Sequence, residues 1–134
     1  MDDGSLWSTL RDHARRAGAA GGQHGAEEET AVEQFRLFAD QGSAMVQLYL
    51  GIMYEHGRGG LPKDDAKAVE LYRKAADQGY ATAQHNLGLM HEHGEGGPQD
   101  YAEARRLYSL AATQGDSSAQ FNLADMHEHG KGGP

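Results

Sequence analysis

Apolar residues recur along the chain at helical spacing, in two alternating kinds of stretch. The first places Val46, Leu50 and Met53 on one face, then Ala83, Leu87 and Met90, then Ala119, Leu123 and Met126. Offsets of four and three residues align side chains along one side of an α-helix. The second kind reads small–aromatic–small at every fourth position: Ala31/Phe35/Ala39, Ala68/Tyr72/Ala76 and Ala104/Tyr108/Ala112. Small residues let helices approach closely, and the ring fills the space between neighbours. No alternating Val/Ile/Thr run competes, so no strand is predicted. The pattern predicts six helices, over 27–41, 44–56, 64–78, 81–93, 100–114 and 117–129.

Turn signals divide these stretches and make the repetition explicit. Asp-Gln-Gly occurs at 40–42 and 77–79, and Thr-Gln-Gly at 113–115. Glu-His-Gly-x-Gly-Gly occurs at 55–60, 92–97 and 128–133, so the copies lie 37 and then 36 residues apart. The one-residue difference comes from Leu61, which separates Gly60 from Pro62, whereas Gly97 runs straight into Pro98. Gly42, Gly79 and Gly115 follow the aromatic stretches, and Gly57, Gly94 and Gly130 follow the Leu-containing ones. All six stand where a left-handed residue usually ends a helix. Asp100 followed by Glu103 reads as an N-cap with its capping-box carboxylate. A fixed period of this length marks stacked helical units, each packing only on its neighbours.

Composition agrees with that architecture. Apolar residues make up 38% of 134 residues, and glycine is frequent at 19, which suits a thin stack better than a compact globule. The formal net charge is −8, without Lys/Arg clusters. That argues against a nucleic-acid partner and against an anionic membrane surface. The absence of cysteine removes disulfides, thiolate metal sites and a Cys nucleophile. The start, Met1-Asp2-Asp3-Gly4, leads into no signal-like apolar run, and no segment approaches a membrane span. A cytoplasmic location is the expectation.

These residues resemble the Sel1-like repeat family, relatives of the tetratricopeptide repeats. The best copy is Ala83-Gln84, Leu87-Gly88, Gly94, Gly96, Asp100, Ala104, Tyr108, Ala111-Ala112 and Gly115. Counted from the Leu-Gly helix, residues 43–79 and 80–115 are full units, with half-units at 27–42 and 116–134. Residues 1–26 form an N-terminal arm outside the repeat domain of 27–134. Three positions depart from the family pattern. The Tyr before the loop survives as Tyr54 but becomes His91 and His127. The Val after Gly-x-Gly is Gly60, Gly97 and Gly133, and Ala124 replaces the Gly of the Leu-Gly pair. The resemblance implies an all-α fold, a right-handed α/α superhelix of antiparallel helix pairs. It also implies a non-enzymatic scaffold or adaptor that binds a partner protein or peptide through its concave groove, with no cofactor.

In tetratricopeptide-like stacking the Leu-Gly helices line that groove. Their non-core positions are then the candidate contacts: Leu48, His85 and Phe121; Ile52, Leu89 and Asp125; Glu55, Glu92 and Glu128; His56, His93 and His129. Apolar and aromatic members are the better anchors, because rim charges carry little interface energy. The competing interpretation is ordinary repeat core for the apolar members and a solvated last helical turn for Glu and His. The groove reading predicts that Arg at 92 and 128 weakens partner capture without lowering the melting temperature.

His91-Glu92-His93 and His127-Glu128-His129 superficially resemble metal ligands. Residues two apart on a helix diverge by ~200°, and equivalent side chains of stacked repeats lie ~10 Å apart. Zinc needs ligands converging at ~2 Å, so no metal site is predicted. The glycine loops lack the Gly-Lys-Ser/Thr ending of a phosphate loop, and they follow helices. Glu, Asp and His are plentiful, but nothing encloses a pair in a dry pocket as acid–base catalysis requires. A pH-responsive interaction module remains as a second reading, since eight His offset eight formal negative charges as they titrate.

The ends complete the expectations. Leu6, Trp7, Leu10 and Ala14 form one stripe after Ser5, and 17–26 reads as a Gly/Ala-rich linker. The sequence stops within an inter-helix turn, so Leu123 and Met126 are predicted to lie exposed. That is the pattern of a truncated array, of an incomplete gene model, or of an edge that self-associates.

Overall fold

The computed structural model describes residues 24–133, with side chains from 31 onward, and the predicted stripe at Leu6–Ala14 lies outside them. Six helices follow one another: α1 (His24–Asp40), α2 (Ala44–His56), α3 (Asp65–Asp77), α4 (Ala81–His93), α5 (Tyr101–Thr113) and α6 (Ser117–Glu128). No strand occurs among the described residues.

Local sequence accounts for these boundaries. Ser43, Asp64, Asp100 and Asp116 each cap the helix that follows by accepting an N–H three residues on, which satisfies a donor the first turn leaves free. Asp64 and Asp100 are therefore caps, and α3 and α5 begin one residue later than their pattern predicts. The capping box is only half formed. Glu103 donates its N–H to Asp100 at 3.0 Å, but its carboxylate turns to Arg106 and Arg73. The N–H of Asp100 goes instead to the carbonyl of His91, at 2.8 Å. Gly57 and Gly94 close α2 and α4 in the left-handed region, at φ 65° and 68°.

Extensive packing joins only helices adjacent in sequence, and it is heaviest within the pairs α2/α3 and α4/α5. The result is a solenoid of antiparallel helix pairs. Tyr72 and Tyr108 are fully buried, with Leu87, Leu107 and Met126. Each ring lies against the glycine of a Leu-Gly pair. A Cβ on Gly51 would stand 2.7 Å from the Tyr72 ring, and one on Gly88 would stand 2.6 Å from the Tyr108 ring. No methyl fits there, so the glycine and the aromatic are one feature read from two helices.

The last helix corrects an expectation. Met126 is fully buried, not exposed, and packs with Ala104, Tyr108 and Ala111, while Leu123 is half-buried against the same cluster. This face of α6 turns back onto α5. The large apolar side chain that α6 leaves in solvent is Phe121, 72% exposed.

A ladder of glutamine amides runs through the stack. Gln47 donates to the carbonyl of Ala39 at 2.9 Å, and Gln84 to that of Ala76 at 3.3 Å. Gln120 repeats the contact with Ala112 at 3.1 Å. Gln78 donates to Gln47, and Gln114 to Gln84, both at 2.9 Å. The first three give a second donor to carbonyls near the C-termini of α1, α3 and α5, which also accept the N–H of Gly42, Gly79 and Gly115.

Candidate functional site

The twelve predicted groove residues separate into three groups. Three of them come together. His85 and Leu89 of α4 and Phe121 of α6 line one open depression of about 470 Å³, with Ser117, Ser118 and Asn122. The imidazole of His85 is fixed within it. Its Nε2 lies 2.9 Å from the Asn122 amide, and its Nδ1 lies 3.2 Å from the Asn86 carbonyl oxygen. An amide donor on Nε2 and a carbonyl acceptor on Nδ1 place the proton on Nδ1. The ring also leans on Tyr108, with centroids 5.9 Å apart. The site therefore offers an exposed aromatic, an aliphatic side chain and a rim of hydroxyl and amide groups. Ser117, Ser118 and Asn122 were not foreseen. Asn122 had a visible signal, since it repeats Asn86 at the period of the array.

A second group is structural. Leu48 is buried in the main core, and Ile52 is half-buried against it, so α2 presents core at the positions where groove contacts were predicted. Glu55 and Glu92 are engaged by the paired aromatic helix. Glu55 accepts a hydrogen bond from the Tyr72 hydroxyl at 2.6 Å, and Glu92 accepts one from Tyr108 at 2.8 Å. Glu92 is only 7% exposed. Burial, reinforced by the neighbouring carboxylate, pushes both phenols far above their ordinary range. Lys131, reaching back from the loop after α6, comes within 3.4 Å of Glu92 and supplies the countercharge.

The third group lies at helix ends. His56, His93, Glu128 and His129 are exposed, and Asp125 is half-buried. Potential ligand atoms of Asp125, Glu128 and His129 lie within 4.8 Å of one another. The His129 ring is already engaged there, with Nδ1 2.9 Å from the Asp125 carbonyl oxygen. His91 and His93 diverge as helix geometry requires: His91 faces Arg73 at 3.1 Å, and His93 is exposed.

That contact belongs to a recurring feature. The residue before each loop meets an arginine of the preceding aromatic helix: Tyr54 with Arg36, His91 with Arg73, and His127 with Arg105. Glu103 gathers Arg106 and Arg73 on the same side. Its hydrogen bond to Arg106, then that to Arg73, holds the carboxyl down at about 2.

Comparison with known proteins identifies the repeat. The family model described as Sel1 repeat matches residues 44–80, 81–116 and 117–134. Two solved structures share the fold closely. One is a protective antigen present in uropathogenic Escherichia coli strains that displays an SLR fold. It is 43% identical with a TM-score of 0.73, over 76% of this chain and 22% of that one. The other is a Sel1 repeat protein from Oxalobacter formigenes, 36% identical with a TM-score of 0.74, over 78% of this chain and 41% of that one. The chain thus spans less than half the length of either. No curated protein matches. No helix among the described residues is long and apolar enough to cross a membrane.

Proposed function

Because the chain belongs to the Sel1 repeat family, whose repeats commonly serve as protein–protein interaction modules, we propose that it is a non-enzymatic adaptor. It takes a protein or peptide partner in the depression between α4 and α6. The observation that carries this reading is the exposed ring of Phe121, set beside Leu89 and His85. Exposed aromatics beside a recess are where interface energy concentrates. The polar rim of Ser117, Ser118 and Asn122 suits the backbone of a bound segment. The experiment is affinity capture at physiological salt with the native chain and a Leu89→Gln bait, read by mass spectrometry. The reading expects one or a few stoichiometric partners, depleted at least tenfold on the variant while its melting curve stays cooperative. Equal recovery on both baits would remove the depression from the site.

The guanidinium–imidazole contacts favour a second reading, that partner binding responds to pH. Arginine has only donors, so the His91 nitrogen that faces Arg73, and one of the two His127 nitrogens that face Arg105, must accept, which a protonated imidazole cannot do. Glu103 shares Arg73 with His91. Tyr54 fills the same place beside Arg36 with a phenol in place of the imidazole. Capture at pH 7.5 and pH 5 by the native chain and by a His91→Tyr/His127→Tyr chain tests this. Loss at pH 5 confined to the native chain is the expected result, and equal loss in both would end the reading.

A further inference from the structure

We infer that the pocket bounded by α1, α2 and α3 binds a small zwitterion, a free amino acid. Its carboxylate lies between Arg36 and Lys67, and its ammonium between Asp40 and Glu70. These four residues line one open pocket of about 140 Å³, together with Tyr54, Leu50 and Leu71. The array uses the same positions again one repeat later. Arg36 and Asp40 correspond to Arg73 and Asp77 on α3, and Lys67 and Glu70 correspond to Glu103 and Arg106 on α5. In the later copy the facing charges are opposite, and they close on one another. Arg73 lies 3.2 Å from Glu103. Arg106 is held chiefly by its bond to Glu103, with Asp77 adding a smaller attraction. In the first copy each facing pair carries one sign, cation opposite cation and carboxylate opposite carboxylate. Like charges repel, so neither pair can close.

The observed contacts agree. None of the four charged residues makes a salt bridge to another described residue. The Arg36 guanidinium donates to the Tyr54 hydroxyl at 2.9 Å, and the Lys67 ammonium stands over the Tyr54 ring, 5.8 Å from its centroid. Both cations therefore converge on one buried side chain, which supplies an acceptor and a ring face but not the charge of a carboxylate. The place that Glu103 takes beside Arg73 is open beside Arg36.

The arrangement of the charges selects the ligand. Alternate helices in a stack of antiparallel pairs run in the same direction, as α1 and α3 do. Arg36 precedes Asp40 by four residues, and Lys67 precedes Glu70 by three, rises of ~6 Å and ~4.5 Å. The two cations thus lie at one end of the pocket and the two carboxylates at the other. Acetate or phosphate would be repelled at the carboxylate end, and a simple amine at the cationic end. An amino acid carries both charges across a few bonds and matches both ends. The volume points the same way. About 140 Å³ equals several water molecules at ~30 Å³ each, room for a handful of heavy atoms. Leu50 and Leu71 give the carbon between the charges an apolar wall. The pocket is separate from the depression between α4 and α6, so the inference does not depend on what that depression binds.

The probes are glycine and β-alanine, titrated at pH 7 and low salt into the full isotope-labelled chain and followed by backbone and side-chain NMR shifts. Saturable shifts centred on Arg36, Leu50, Lys67 and Leu71 are expected with at least one of them. Partly exposed ion pairs are individually weak, so the dissociation constant should be about 1–10 mM. Acetate, methylammonium and inorganic phosphate should each bind at least tenfold more weakly. Lys67→Glu/Glu70→Arg installs the charge order of the later repeat. It should weaken binding of the amino acid at least tenfold while melting no lower than the native chain, because Arg36 and Asp40 then face opposite charges. No saturable shift with either amino acid, acetate binding as tightly as glycine and β-alanine, or a charge-swapped chain that still binds would each overturn the inference. A charge-swapped chain that melts lower would also overturn it, by showing that these side chains do not face one another.

Discussion

The hydroxyl of Tyr108 on α5 donates a 2.8 Å hydrogen bond to the Glu92 carboxylate on α4, and Tyr72 does the same to Glu55 at 2.6 Å. A buried tyrosine needs a partner for its polar tip, and here the repeat supplies one on the paired helix. The third copy completes the logic from both ends. Phe35 carries no hydroxyl, and Glu128 is exposed, with no tyrosine hydroxyl bonded to it among the described residues. Glu92→Arg is therefore predicted to be destabilising, by about 2–4 kcal/mol, because it orphans a buried phenol and buries a cation beside Lys131. Glu128→Arg should cost under ~0.5 kcal/mol. Thermal unfolding of the two variants checks this, and similar melting temperatures would refute the tether.

The contact between glycine and tyrosine yields a prediction that inverts helix propensity. In an isolated helix Gly→Ala is favourable by ~1 kcal/mol. At Gly88 the added methyl would press into the Tyr108 ring at 2.6 Å, so Gly88→Ala is expected to destabilise by about 1–3 kcal/mol, as overpacking does. Ala124→Gly, on an exposed surface, should show only the propensity loss of ~1 kcal/mol. Chemical denaturation of both variants separates the two effects. A stabilised Gly88→Ala chain would show that the ring moves aside freely.

Much of this was legible in the sequence, because the information was local. Helix number, the Asp100 cap and the terminal glycines are set by residues within a few positions of one another, so spacing alone locates them. The groove was less legible. Helical periodicity says which residues leave the core face, but not which of them then meet a neighbouring helix. Leu48 and Phe121 occupy the same repeat position, yet one is buried and the other 72% exposed. Glu92 and Glu128 differ in the same way. The difference is made by the helix stacked on top, which the repeat pattern does not specify position by position. Met126 was misplaced for a related reason: the Leu/Met face was assigned to the next repeat, whereas it packs backward on α5.

Gln84 links three helices. Its amide donates to the Ala76 carbonyl at 3.3 Å while its oxygen accepts from Gln114 at 2.9 Å. Gln84→Leu keeps the volume but removes both bonds, leaving the Gln114 amide without its protein partner and the Ala76 carbonyl with backbone N–H donors alone, which should cost about 0.5–1.5 kcal/mol. Gln114→Leu in the same chain removes that unpartnered amide. The two changes are therefore expected to be less damaging together than their sum, with a coupling of about 0.5 kcal/mol or more. A double-mutant cycle in urea measures this, and strict additivity would mean the ladder bonds act independently.

Glu103 supplies the prediction for pH. Arg106, and then Arg73, hold its carboxyl at about 2, against an ordinary value of 4.5. A carboxyl whose pKa is lower in the folded chain binds its proton more readily when unfolded, so its stabilising contribution is present above pH 4.5 and lost as pH falls toward 2. The cluster is partly open to solvent, which limits the contribution to about 1 kcal/mol or less. Glu103→Gln should melt below the native chain at pH 6, and the gap should close between pH 4.5 and pH 2. Added salt should narrow the gap at pH 6, since partly exposed charges are screened. A gap that persists unchanged at pH 2 would assign the role of Glu103 to its packing and its N-terminal position on α5, not to its charge.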